Sequence, residues 1–206
     1  FAGLAEAARA ASADPDARRI LLVTIVFNVW GFPFLAMVPV LGRETLDLPA
    51  SAIGGLTAVE GLFALIGTLV AARVARPGNY RRLYWGGTLV HLSAVGAIGA
   101  LGGLWPLAAG LAVAGFCAAL FSSMQSTLIW LAAPPGMGGR FLGLMTLCIG
   151  AGCLGFANVG VTAELLGAET ALMLLAAEGA IPLLLIARGW RALRVWSSRS
   201  SRRAVG

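Results

Sequence analysis

Residues 106–132 read PLAAGLAVAGFCAALFSSMQSTLIWLA, and their reading decides the fold. No charged side chain interrupts them. A helix needs about 20 predominantly apolar residues to cross the hydrocarbon layer. Lipid offers no partner to an open backbone group, so a run of this length is expected to be helical. Five more runs of the same kind lie at 20–41, 53–74, 83–101, 141–164 and 170–187. None alternates with the period of a barrel strand. The expected fold is therefore an all-α membrane protein with six transmembrane helices in residues 20–187. A polar segment, 1–19, precedes them, and a basic tail, 188–206, follows.

Composition agrees. Hydrophobic residues make up 59% of the chain and charged ones 12%, against about 45–50% and about 25% in soluble domains. The net charge of +6 would suggest a nucleic-acid partner in a soluble protein. Here every basic residue is arginine, placed in short loops and the tail, and no nucleic acid is expected. Arginines 9, 18 and 19 precede the first run, and Arg73, Arg76, Arg81 and Arg82 fall in the second loop. Arg140 is in the fourth loop, and six arginines follow residue 187. If six helices alternate, all of these share one side, and only Arg43 lies opposite. The positive-inside bias then puts both termini in the cytoplasm. The absence of lysine suggests a GC-rich bacterial gene and a bacterial plasma membrane.

The loops are too short for a soluble active site. Cys117, Cys148 and Cys153 lie inside apolar runs and show no metal-ligand spacing, so neither metal nor cofactor is expected. Residues 4–11 read as a short Ala-rich helix ended by Asp14-Pro15. The first residue is Phe1 rather than Met, which suggests a segment of something longer. Gly96, Gly99 and Gly102, and the pair Ala151 and Gly155, are small residues at spacings that let helices approach closely. Pro33, Pro39 and Pro182 would bend helices locally. Trp190 and Trp196 among the tail arginines suggest interfacial anchoring.

Three stretches, taken in order, resemble the C-terminal half of the major facilitator superfamily, nearest its bacterial efflux branch. Residues 3–15 look like the end of that family's central loop. Residues 67–82 resemble its loop motif between the second and third helices of a half, with Arg76, Gly78 and Arg81 at the basic and glycine positions. Ala75 stands where the family has Asp, which weakens the case for a charged cytoplasmic latch there. Residues 134–143, PPGMGGRFLG, resemble the pattern opening the fifth helix; Gly139, Arg140 and Gly143 match, while Gly138 replaces an Arg. The resemblance implies one half of a twelve-helix transporter, with substrate bound between parallel halves near the midplane. The partners would be the lipid bilayer, protons, a small-molecule substrate and an N-terminal six-helix half of the same protein. The first and fourth helices of a half line the cavity in that family.

Polar groups inside a membrane are functional candidates. Asn28 and Gln125 could line a substrate cavity or bond neighbouring helices. Trp30, Phe32 and Pro33, in the aromatic stretch 30–34, could stack on an apolar substrate or simply pack. Glu60 lies about two turns inside the second run, where a carboxyl that exchanges a proton could couple transport to the proton gradient; the alternative is a structural carboxyl. His91 and Glu178 lie about eight and about nine residues from the inner ends of the third and sixth runs, at nearly one depth for a rise of about 1.5 Å per residue. They are expected to form a structural polar pair.

The leading expectation is proton-coupled efflux of a small amphipathic molecule. One alternative is a standalone six-helix protein that homodimerises. Another is an intramembrane hydrolase, but no Gly-x-Ser-x-Gly or His-Glu-x-x-His occurs, and no enzyme activity is expected.

Overall fold

The computed structural model describes residues 2–190. Residues 191–206, with Trp196 and most of the expected basic tail, lie outside the described residues, as does Phe1. The described chain is helical, and five of its helical rods are long and apolar enough to cross a membrane: Pro15–Thr45, Ala50–Val74, Leu104–Ala132, Gly138–Leu166 and Ala168–Arg188.

The polar N-terminal segment forms α1 (Ala2–Ala13). Asp14 both ends it and caps the next helix. Its amide bonds back to the Ala10 carbonyl, and its Oδ1 accepts the amides of Asp16 and Ala17 at 2.7 and 3.2 Å. With Pro15 at the first helical position, α2 (Pro15–Val26) starts five residues before the apolar run at 20. Pro15–Thr45 then continues as one irregular rod: a π turn (Phe27–Gly31), a 3-10 turn (Phe32–Ala36), α3 (Met37–Val40) and a second π turn (Leu41–Thr45). Pro33 and Pro39 explain the irregularity, because each removes a helix donor and crowds the preceding turn.

The remaining rods are α4 (Ala50–Val74), α5 (Tyr80–Leu101), α6 (Leu104–Ala132), α7 (Gly138–Gly150) joined through Ala151 to α8 (Gly152–Leu166), and α9 (Ala168–Gly189). The third expected span corresponds to α5, which has the length of a span at 22 residues but falls short on apolarity. Tyr84, Trp85, Thr88, His91 and Ser93 dilute it.

The packing has an order. α4 lies on α6, and α7–α8 lies on the first rod. α5 packs on α6, α9 packs on the first rod, and α5 and α9 pack on each other. The fifth and sixth rods thus stand to the first as the second and third stand to the fourth. Two apolar cores result. One surrounds Phe27, Tyr84, Phe121, Phe141 and Trp190 towards the arginine-rich end. The other surrounds Phe34, Val95, Leu111, Val159 and Leu172. Burial is uneven: 67% of the most apolar window of Pro15–Thr45 is buried, but only 11% of that of α4. The outer faces of α4 and α8 carry exposed Leu62, Leu65, Leu69, Leu154, Val161 and Leu165.

Glycines set the closest approaches. A Cβ on Gly155 would overlap the Val29 carbonyl, and one on Gly115 would overlap the Glu60 carbonyl. Gly160, on the same helix as Gly155, has open space around it. Overpacking a tight contact costs about 1–3 kcal/mol. Gly155→Val is therefore expected to lower stability by about that amount, read as a downshifted unfolding transition of the purified protein, whereas Gly160→Ala should leave it unchanged or slightly raised. An unshifted transition in Gly155→Val would contradict this packing.

Candidate functional site: polar groups within the helix bundle

Three polar side chains from three rods meet near the arginine-rich end. Thr24 Oγ1 lies 2.8 Å from the Tyr84 hydroxyl and accepts from Gln125 Nε2 at 3.1 Å. Both hydroxyls also reach the Ile20 carbonyl, at 3.0 and 2.9 Å. Thr24, Tyr84 and Gln125 are buried, so the network satisfies groups that lipid and apolar side chains could not. Gln125 thus makes the helix-to-helix bond that was one of its two expectations. Asn28 is also buried, and its Nδ2 donates to the Thr24 carbonyl of its own helix at 2.8 Å.

The other expected cavity residues divide between faces. Pro33 is buried, with Cγ against Gly155, while Phe32 is 45% exposed and meets Phe156 edge-on at 6.0 Å. Trp30 is half-buried and donates its indole N–H to Glu178 Oε2 at 3.0 Å. Asn158 Nδ2 donates to the same oxygen at 2.8 Å. Glu178 therefore ties α9 to the first rod and to α8.

His91 takes different partners. Its Nδ1 lies 3.0 Å from the Ala114 carbonyl and its Nε2 lies 3.2 Å from the Gly31 carbonyl. The direct His91–Glu178 pair suggested by equal depth is not formed, because each side chain finds nearer partners. The two are linked through adjacent residues, Trp30 and Gly31, of the irregular first rod. Depth is set by helix register, but meeting also requires helix rotation, which one sequence does not carry.

Glu60 is partly exposed on α4, and its side chain has no hydrogen-bond partner among the described residues. Sequence reasoning passed over Ser122 and Ser126, one turn apart and exposed on α6, with partly exposed Ser123 and Thr127 beside them. The signal was present: Ser122, Ser123, Gln125, Ser126 and Thr127 crowd the run 122–127 within an otherwise apolar span. Their grouping gives α6 a hydroxyl-bearing outer stripe next to the buried Gln125.

The loop-motif residues sit at one end. Arg81 donates to Asp16 Oδ2 at 2.8 Å, and Trp190 Nε1 donates to Asp16 Oδ1 at 3.2 Å. Trp190 is only 1% exposed, with the Arg81 guanidinium 5.8 Å from its ring. It is a buried tie between α9 and the start of α2 rather than a lipid-facing anchor. Arg140 pairs with Glu6, holding α1 to α7. Arg76 and Asn79 close the α4–α5 turn, where the Asn79 carboxamide accepts the Arg76 amide and donates to the Val74 carbonyl, both at 2.8 Å. Gly78 and Gly139 have open space around them, and Gly143 meets only Leu4 Cδ1 at 3.8 Å. Among the described residues no group of three His, Cys, Asp or Glu could hold a metal ion.

No family model, no curated protein and no solved structure matches this chain.

Hydrogen bonds between membrane helices average about 0.6 kcal/mol and reach about 1.7. Tyr84→Phe, which keeps the ring stacked on Phe121, should cost about 1 kcal/mol. Combining it with Gln125→Leu should give less than the sum of the single effects, because both bonds converge on Thr24. Unfolding of the three variants in detergent measures this.

Proposed function

We propose that this chain is the C-terminal half of a proton-coupled secondary transporter of the major facilitator type, exporting a small amphipathic molecule. In this reading it crosses a bacterial plasma membrane six times, with both ends of the segment cytoplasmic. The observation that carries the reading is the packing order: second rod on fourth and fifth on first, third on fourth and sixth on first, third on sixth. This order is the one expected of an inverted three-plus-three repeat, the internal plan of each half in that superfamily.

Three further features support it. The polar side chains that lower the hydropathy of α5 are used inside the bundle: Tyr84 bonds to Thr24 and Ile20, His91 to Ala114 and Gly31, and the Trp85 indole to the Leu183 carbonyl. A sixth crossing by α5 therefore presents few polar groups to lipid. The lightly buried faces of α4 and α8 are the ones a second half would cover. The hydroxyl stripe Ser122–Ser126 on the fourth rod is where a central cavity would need polar lining. Glu60, half-buried on the α6-facing side of α4 and without a hydrogen-bond partner among the described residues, is the carboxyl best placed to exchange protons with the cavity.

Dye transport in proteoliposomes holding the complete transporter tests this, with an imposed pH gradient and a panel of fluorescent amphipathic cations as probes. The gradient should drive dye movement, and Glu60→Gln should reduce it to the level of protein-free liposomes while dye binding persists. Gradient-driven movement unchanged in Glu60→Gln would remove Glu60 from coupling; no gradient-driven movement of any probe by the unmodified protein would argue against the transporter reading.

A further inference from the structure

We propose that His91 is a proton-binding clasp between the irregular segment of the first rod and α6, closed when the imidazole carries two protons. The proposal assigns proton binding to a residue other than Glu60, and it holds whether or not the chain transports a substrate.

The geometry is unusual for a neutral imidazole, which has one N–H donor and one bare nitrogen. Both ring nitrogens of His91 face backbone carbonyl oxygens, at 3.0 Å (Ala114) and 3.2 Å (Gly31). A carbonyl oxygen can only accept. In the neutral ring one of these contacts sets a nitrogen lone pair against an oxygen lone pair. In the imidazolium both become donors, and both contacts become charge-assisted hydrogen bonds. Two aromatic rings flank the site: Phe27 at 4.7 Å with its ring tilted 49°, and Phe34 at 5.3 Å and nearly perpendicular. The two carbonyl dipoles favour a cation there.

Opposing this, His91 is 1% exposed, and an imidazolium there loses its hydration. No carboxylate among the described residues bonds to it. Towards the middle of the surrounding rods the titratable side chains are Cys117 on α6; Glu60 on α4, whose backbone packs against Gly115; and Glu178 on α9, bonded to Trp30 and Asn158; the other charged residues of these rods, from Asp16 and Arg43 to Glu169 and Arg188, lie near their ends. On its own helix, Tyr84 is bonded to Thr24 and Ile20. Neither protonation state is comfortable in the present arrangement. The charged state keeps both carbonyls and loses water; the neutral state must release one carbonyl. The segment that can yield is the rod next to Gly31, which passes from a π turn to a 3-10 turn there, whereas α6 is regular around Ala114. Gly31 also leaves little slack, since a Cβ there would lie 3.3 Å from His91 Cδ2. Loss of the proton therefore releases the Gly31 carbonyl and with it the imidazole link from the 27–36 segment to α6, while Phe27 stays stacked on Phe121 of α6 at 3.8 Å.

Solid-state NMR of the complete protein in lipid bilayers, with 15N-labelled histidine ring and 13C-labelled carbonyls, tests this between about pH 8 and pH 5, the range over which histidine ordinarily changes charge. The His91 signals are assigned by their loss in His91→Gln. At the acid end both ring nitrogens should be protonated, and both should show transfer to a carbonyl carbon; at the alkaline end one nitrogen should be bare and one of the two transfers lost. Gly31→Ala, which keeps the histidine but crowds it, should shift the midpoint of this change. A single neutral tautomer at every pH would overturn the proposal, and so would a ring that titrates while keeping both carbonyl contacts.

Discussion

A proline inside a membrane helix leaves a carbonyl without its usual donor, and hydrocarbon supplies no water to replace it. Pro33 does this to the first rod, and much of the bundle can be read as the answer. The backbone loosens to a π turn, then tightens to a 3-10 turn. The Val29 carbonyl, which would have bonded an amide at position 33, lies where Gly155 lets α8 come into backbone contact. The Gly31 carbonyl is taken by His91 from α5, and Trp30 between them is held by Glu178 from α9. Three rods are thus positioned by the five residues around one proline, which is why His91 of α5 and Glu178 of α9 each bond to the first rod rather than to one another, with Asn158 of α8 joining at Glu178.

At the arginine-rich end a single carboxylate has a similar unifying part. Asp16 receives Arg81 from the start of α5 and the Trp190 indole from the end of α9, with Arg19 of its own helix at 3.8 Å. The α4–α5 loop carries no carboxylate of its own, and Arg81 finds one in Asp16 of another rod. An exposed ion pair contributes little by itself. Here the aspartate is also shared with a buried indole and sits beside the cap that starts α2, so its loss would disturb three rods together.

Much of the helical plan was legible in the sequence, because an apolar run of span length has one workable backbone solution in lipid. Boundaries were less so. Asp14-Pro15 reads as the end of a helix, and it is one, but the same aspartate caps the next. The first rod therefore begins at Pro15, inside the segment read as linker. α5 shows the limit of hydropathy as a signal: its Tyr, Trp and His count against it on any scale, yet inside the bundle they bond to Thr24, Leu183, Ala114 and Gly31. Side-chain partnerships were the least legible. Depth along a helix follows from counting residues, so His91 and Glu178 were expected to meet; rotation about the axis follows from packing, and it turned each to other partners. Trp190 illustrates the same point, since an indole beside arginines suggests a membrane interface, whereas its burial against Asp16 depends on a neighbour far away in sequence.

The account depends most on α5 crossing the membrane as the sixth span, because the reversed three-plus-three order and the grouping of arginines on one side both require it. Cysteine accessibility in intact cells measures this directly, with single cysteines in a background lacking Cys117, Cys148 and Cys153. Gly78→Cys and Leu101→Cys bracket α5. The account predicts that Leu101→Cys reacts with an impermeant reagent from outside and that Gly78→Cys reacts only after permeabilisation. Reaction of both from the same side would mean that α5 does not cross, and would contradict the six-span topology and the transporter half built on it.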